Sequence, residues 1–69
     1  MQLELNKKYQ TRNSGVVIIK NIDYSYTMPF FGLIKDDKEK VIRPASYNSS
    51  GMIYNFKECD FDIVKEIVL

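Results

Sequence analysis

Asn13-Ser14-Gly15-Val16-Val17-Ile18-Ile19 is the stretch on which the fold turns. Four β-branched residues in a row are stiff at χ1, which weakens a helix and suits a pleated surface, so Val16–Ile19 reads as the central strand of a sheet. The polar triplet before it carries Asn and Gly, residues that reach the positive φ of tight hairpin turns. Upstream of that turn, residues 7–12 alternate bulky and polar side chains, the pattern of a partner strand.

Reading downstream, Ile22-Asp23-Tyr24-Ser25-Tyr26 alternates and predicts another strand, which Met28-Pro29 interrupts. Proline cannot donate to a ladder, so Pro29 marks a new strand, an edge or a bulge. Phe30-Phe31-Gly32-Leu33-Ile34 follows as a strand whose glycine suggests a bend or the close approach of another backbone. Residues 35–40 form a charged, solvated connection. Val41-Ile42-Arg43 is then a short strand ended by Pro44, and Asn48-Ser49-Ser50-Gly51 is the clearest turn in the chain. The tail from Cys59 fits both periods; a strand over residues 62–66 is favoured, because a terminal helix of eleven residues is marginal, with a short C-terminal helix capped by Asp60 as the alternative. The sum is an all-β (mainly β) chain, an SH3-like barrel of five or six short antiparallel strands, in one domain spanning residues 1–69.

Composition sets the outer bounds. The chain has 69 residues, a single cysteine, no histidine and a formal net charge of +1. At this size only about 60% of the unfolded surface is buried on folding. No disulfide within the chain can assist, and the commonest zinc ligand is missing, which leaves self-association as the usual remaining aid. Ten basic against nine acidic residues speak against a strongly basic nucleic-acid binder. No segment approaches the ~20 apolar residues of a membrane span, and the expected location is cytoplasmic.

The same residues carry a resemblance. Lys8-Tyr9-x-Thr11-Arg12-x-x-Gly15, Met28-Pro29-Phe30-x-Gly32-x-Ile34, Tyr47-x-x-x-Gly51-x-x-Tyr54 and Phe61-Asp62-Ile63-Val64 together resemble a group of small bacteriophage and prophage proteins. Ser50-Gly51 departs from the aspartate-glycine of that group, and Tyr47 stands where tryptophan is common. The resemblance implies a β-rich fold, a phage origin, a place in the host cytoplasm and an accessory role such as modulating a host protein. It implies no activity for any residue.

No catalytic residue, metal ligand or cofactor site is expected. Cys59 lies between Glu58 and Asp60, the opposite of the electropositive setting that activates a thiol. Glu58, Asp60 and Asp62 would share a face if the segment were a strand, and a solvated acidic edge accounts for them as well as a cation site does. Three scattered glycines form no phosphate loop.

Binding is the remaining class. Tyr24, Tyr26, Met28, Phe30 and Phe31 offer more large apolar surface than one strand face can bury, and such residues are enriched at interfaces, so a protein partner or a homo-oligomer is expected there. Single-stranded nucleic acid is the alternative, with Lys8, Arg12, Lys40 and Arg43 on phosphates and Tyr9 and Tyr47 as stacking platforms. A third reading places a small anionic or nucleotide-like ligand between protomers, on backbone donors of the Asn48–Gly51 turn.

Overall fold

The β-branched run takes the middle of a sheet. In the computed structural model, which describes residues 2–36, 38 and 40–68, the strands are β1 (Lys8–Thr11), β2 (Val16–Ile22), β3 (Phe30–Lys35), β4 (Val41–Tyr47) and β5 (Ile63–Glu66). All pair antiparallel in the order β4-β3-β2-β1-β5, so β2 is central. The chain is all-β, with no helix among the described residues, and the tail forms a strand. β4 and β5 are left as edges, so the sheet is curled but open. The curl is fixed by one backbone bond between the two sides, from Ile63 N–H to the Gly51 carbonyl at 2.8 Å.

Two strand expectations are corrected. Tyr24-Ser25-Tyr26 is a loop. Asp23 N–H donates to the Pro29 carbonyl at 2.8 Å, Tyr26 N–H donates to the Asp23 carbonyl at 3.2 Å, and the Asp23 carboxylate accepts from both the N–H and the hydroxyl of Ser25. These short-range bonds engage the N–H groups of Asp23, Ser25 and Tyr26 within the loop, in competition with a strand ladder. Pro44 does not end its strand either, since β4 runs through it to Tyr47 with Pro44 in register opposite Leu33. An edge strand tolerates the missing donor.

Register assigns the faces. Tyr9, Val17 and Ile34 form one row on the inner face; Ile19, Gly32 and Ala45 form a second, and Ile22, Phe30 and Tyr47 a third. With Leu3 and Ile63 these side chains make the core, against which Ile53 and Phe61 pack. Gly32 is required by this packing: a Cβ there would lie 2.7 Å from Val17 Cγ2 and 3.2 Å from the Ile18 carbonyl. The close approach expected from its position in an apolar run is therefore real.

The β1–β2 turn departs from expectation in which residue bears the strain. Thr11 N–H donates to the Gly15 carbonyl, Ser14 N–H donates to the Thr11 carbonyl, and Ser14, not Gly15, takes positive φ at 69°. This is a three-residue hairpin loop whose last position favours glycine.

The segment 48–62 has no regular structure, and one side chain anchors it. Asp62 is 1% exposed; its Oδ1 accepts from Ile53 N–H at 3.1 Å and its Oδ2 from Cys59 N–H at 2.9 Å. Its own carbonyl accepts from Arg12 N–H at 2.9 Å, tying the segment to the β1–β2 turn. The Arg12 guanidinium lies 3.9 Å from Oδ2 on a side chain 44% exposed, so the amide bonds carry most of the anchoring.

Two outcomes are expected in urea unfolding followed by circular dichroism. Asp62→Ala leaves two amides unpaired at about 1–3 kcal/mol each and should lower stability by roughly 2–4 kcal/mol; a loss under ~1 kcal/mol would remove Asp62 from this role. Ser14→Gly should raise stability by about 0.5–1 kcal/mol, because relief of the αL penalty exceeds the added chain entropy; a destabilised variant would contradict the assigned turn.

Candidate functional site

The loop between β2 and β3 overhangs one end of the outer face. Asn21, Phe31 and Ser46 stand in register across β2, β3 and β4, and they form one wall of a cleft completed by Asp23, Tyr26, Thr27, Met28 and Pro29. Its volume is about 490 Å³, within the range of ligand pockets. A β-bulge in β2 at Lys20, between Ile19 and Asn21, shifts the register just before this wall, and Pro29 fixes the chain where it re-enters the sheet.

Of the five residues expected to meet a partner, the structure brings three into the cleft: Tyr26, Met28 and Phe31. Tyr26 is 68% and Phe31 38% exposed, and Met28 is half-buried. Phe30 is corrected to a core residue, because alternation along β3 turns it inward against Tyr47. Tyr24 is 75% exposed and stacks edge-on to Phe30, with ring centroids 5.8 Å apart, beside the cleft rather than in it. Asp23 supplies the cleft's charge. Its hydrogen bonds from the Ser25 hydroxyl and N–H hold the carboxyl below its ordinary pKa, so it is ionised at neutral pH.

Tyr54 and Phe56 form a second exposed aromatic group; the sequence points to Tyr54 as one of the tyrosines able to stack but not to its pairing with Phe56. The rings lie 6.0 Å apart, and the Lys57 ammonium sits 4.7 Å from the Tyr54 centroid. The signal was present in Tyr54-Asn55-Phe56, whose aromatics sit within a polar segment that forms no strand.

The set expected to hold nucleic acid does not assemble. Tyr9 and Tyr47 are fully buried, so neither presents a ring for stacking. The Tyr9 hydroxyl accepts from Glu4 N–H at 2.7 Å, and the Tyr47 hydroxyl donates to the Phe61 carbonyl at 2.8 Å. Arg12 is turned toward Asp62 and the Cys59 carbonyl, and Arg43 lies over the Phe61 ring at 5.0 Å. Lys8 belongs to the outer face and Lys40 to the β3–β4 turn, so the cations are dispersed over different parts of the molecule.

The Asn48–Gly51 turn is likewise occupied by its own groups. Asn48 Oδ1 accepts from the N–H of Ser50 and of Met52, and its carbonyl accepts from Gly51 N–H. The N–H groups of Asn48, Ser50 and Gly51 are therefore engaged within the loop itself and are not offered to an anion. The acidic triplet is also separated: Glu58 and Asp60 are exposed, Asp62 is buried, and the segment up to Asp62 is not a strand. Asp36 caps its own turn by accepting from the N–H groups of Lys38 and Lys40, while Asp37 lies outside the described residues. Among the described residues no group of three acidic or thiol side chains is arranged to hold a metal ion, and no helix is long and apolar enough to cross a membrane.

No family model matches the chain, and neither a curated protein nor a solved structure is significantly similar to it.

Burial holds the Tyr47 proton far above the ordinary tyrosine pKa, and the charge of Asp62 adds to the effect. The folded state then keeps a proton that the unfolded state releases near pH ~10, so the contribution is complete below that pH and lost above it. Stability should fall by up to about 1.4 kcal/mol per pH unit above pH ~10. In urea unfolding at stepped alkaline pH, Tyr47→Phe should be weaker by ~1 kcal/mol at neutral pH yet show a shallower alkaline decline; parallel declines would place this hydroxyl in water.

Proposed function

We propose that this chain is a non-enzymatic protein-binding module that takes a protein segment in the cleft between the β2–β3 loop and β4. The observation that carries this reading is the meeting of Tyr26, Met28, Pro29 and Phe31 around one concave space. Large aromatic side chains left in water cost free energy that a small domain can poorly spare, and their burial against a partner recovers it. Interface hot spots are commonly such residues in a pocket with a polar rim, here formed by Asn21, Asp23, Thr27 and Ser46.

The strand order supports an SH3-like reading of the fold, since four strands form a meander and the fifth returns beside the first. The resemblance to small phage and prophage proteins supplies the setting: an accessory protein that engages a host protein. A second copy of the chain is the other protein that could fill the cleft, as the expectation of a homo-oligomer states.

The test is selection from a displayed library of random twelve-residue peptides, with affinities of the enriched peptides measured by fluorescence anisotropy. Tyr26→Ala with Phe31→Ala should weaken binding at least ten-fold while the circular dichroism spectrum is kept. Unchanged affinity in the folded double variant, or no enrichment over an unrelated β domain, rejects the cleft.

A further inference from the structure

The cleft opens onto the outer face of the sheet, and that face has a chemistry of its own. Register places Lys8, Ile18, Leu33 and Pro44 in one row across four strands, next to the row that carries Phe31. A third row runs from Lys65 through Gln10, Val16 and Lys35 to Val41. Ile18 is buried yet stands outside the core cluster, while Pro44 and Val41 are exposed and Leu33 is half-buried. The outer face is thus apolar along its middle.

Its charges have one sign. Lys8, Lys35 and Lys65 are the charged side chains that register puts on this face, and none of its described strand positions is acidic. Glu66 pairs with Tyr9 and so belongs to the opposite face, and Asp62 is buried on the far side of the sheet. Among the described residues Asp23 borders the outer face at the cleft end, and Glu66 borders it at the β1–β5 margin, where it lines a groove with Gln10, Val16 and Lys65.

We infer that the partner is a protein segment bearing apolar side chains and carboxylates, lying along the outer face with its acidic residues over Lys35 and Lys65. This inference rests on the cleft reading above and gives the occupant its chemistry. Charge complementarity decides the assignment. Two copies packed face to face would set lysines against lysines, which disfavours a second copy here, whereas an acidic segment meets them favourably. Asp23 repels the acidic part from the cleft, so the segment has a direction: its apolar or basic end enters between Tyr26 and Phe31, and its carboxylates lie toward β1 and β5.

The same library selection decides it. Enriched peptides should combine apolar positions with Asp or Glu. Their affinity should fall at least ten-fold in Lys35→Glu with Lys65→Glu, and by several-fold from 50 to 500 mM salt, with the folded spectrum kept. Neutral or basic consensus peptides, or affinities indifferent to the charge reversal, overturn the inference; if Tyr26→Ala with Phe31→Ala still abolishes binding, the cleft reading stands alone. A labelled thymidine oligonucleotide that binds at low salt and is lost on charge reversal also overturns it, as does a dimer seen by light scattering that the charge reversal disperses or changes in affinity.

Discussion

The buried carboxylate of Asp62 is the contact on which the rest of the architecture depends. An open five-stranded sheet exposes its inner face unless something covers it, and here much of the cover comes from a segment with no ladder of its own. Two amide donors converge on Asp62, and its own carbonyl receives Arg12 N–H, so one residue joins the covering segment to the first hairpin. Once it is held, Phe61 and Ile53 pack on the core, the Tyr47 hydroxyl reaches the Phe61 carbonyl, and β5 enters beside β1.

This arrangement decides which aromatics are left for contact. Tyr9, Phe30 and Tyr47 fill the inner face, whose second row is kept small by Gly32 and Ala45 so that Val17 and Ile19 fit. The inner face has no room for more, and Tyr24, Tyr26, Phe31, Tyr54 and Phe56 remain outside. Aromatic excess is therefore a property of the fold's capacity and not only of composition.

What sequence made legible was local. β2 was evident because its β-branched run suits only one kind of backbone, and the turns at residues 13–15 and 48–51 were evident from their polar, glycine-bearing composition. Tyr24-Ser25-Tyr26 misled because alternation is shared by strands and by loops that turn on their own side chains, and the Asp23–Ser25 bonds decided for the loop. Pro44 misled because a proline ends a central strand but not an edge one, and edge position is a property of topology. Tyr9 and Tyr47 could not be told from surface tyrosines, since which parity of a strand faces inward depends on the whole sheet. Asp62 looked like part of an acidic edge because its amide partners, Ile53 and Cys59, carry no polar side chain that would announce them. Of the cleft, its aromatic side was legible and its Asn21–Ser46 wall was not, because that wall exists only through register.

Pro44 brings no amide hydrogen to the margin of β4, and a bulge at Ile42 disturbs the same strand. The opposite margin, β5, is four residues long and carries Lys65 and Glu66. Neither rim can readily template an incoming backbone by β-augmentation, a mode that takes its affinity from main-chain bonds along a sheet edge. Main-chain pairing along either rim is therefore disfavoured, which guards the sheet against edge-to-edge, fibril-like stacking.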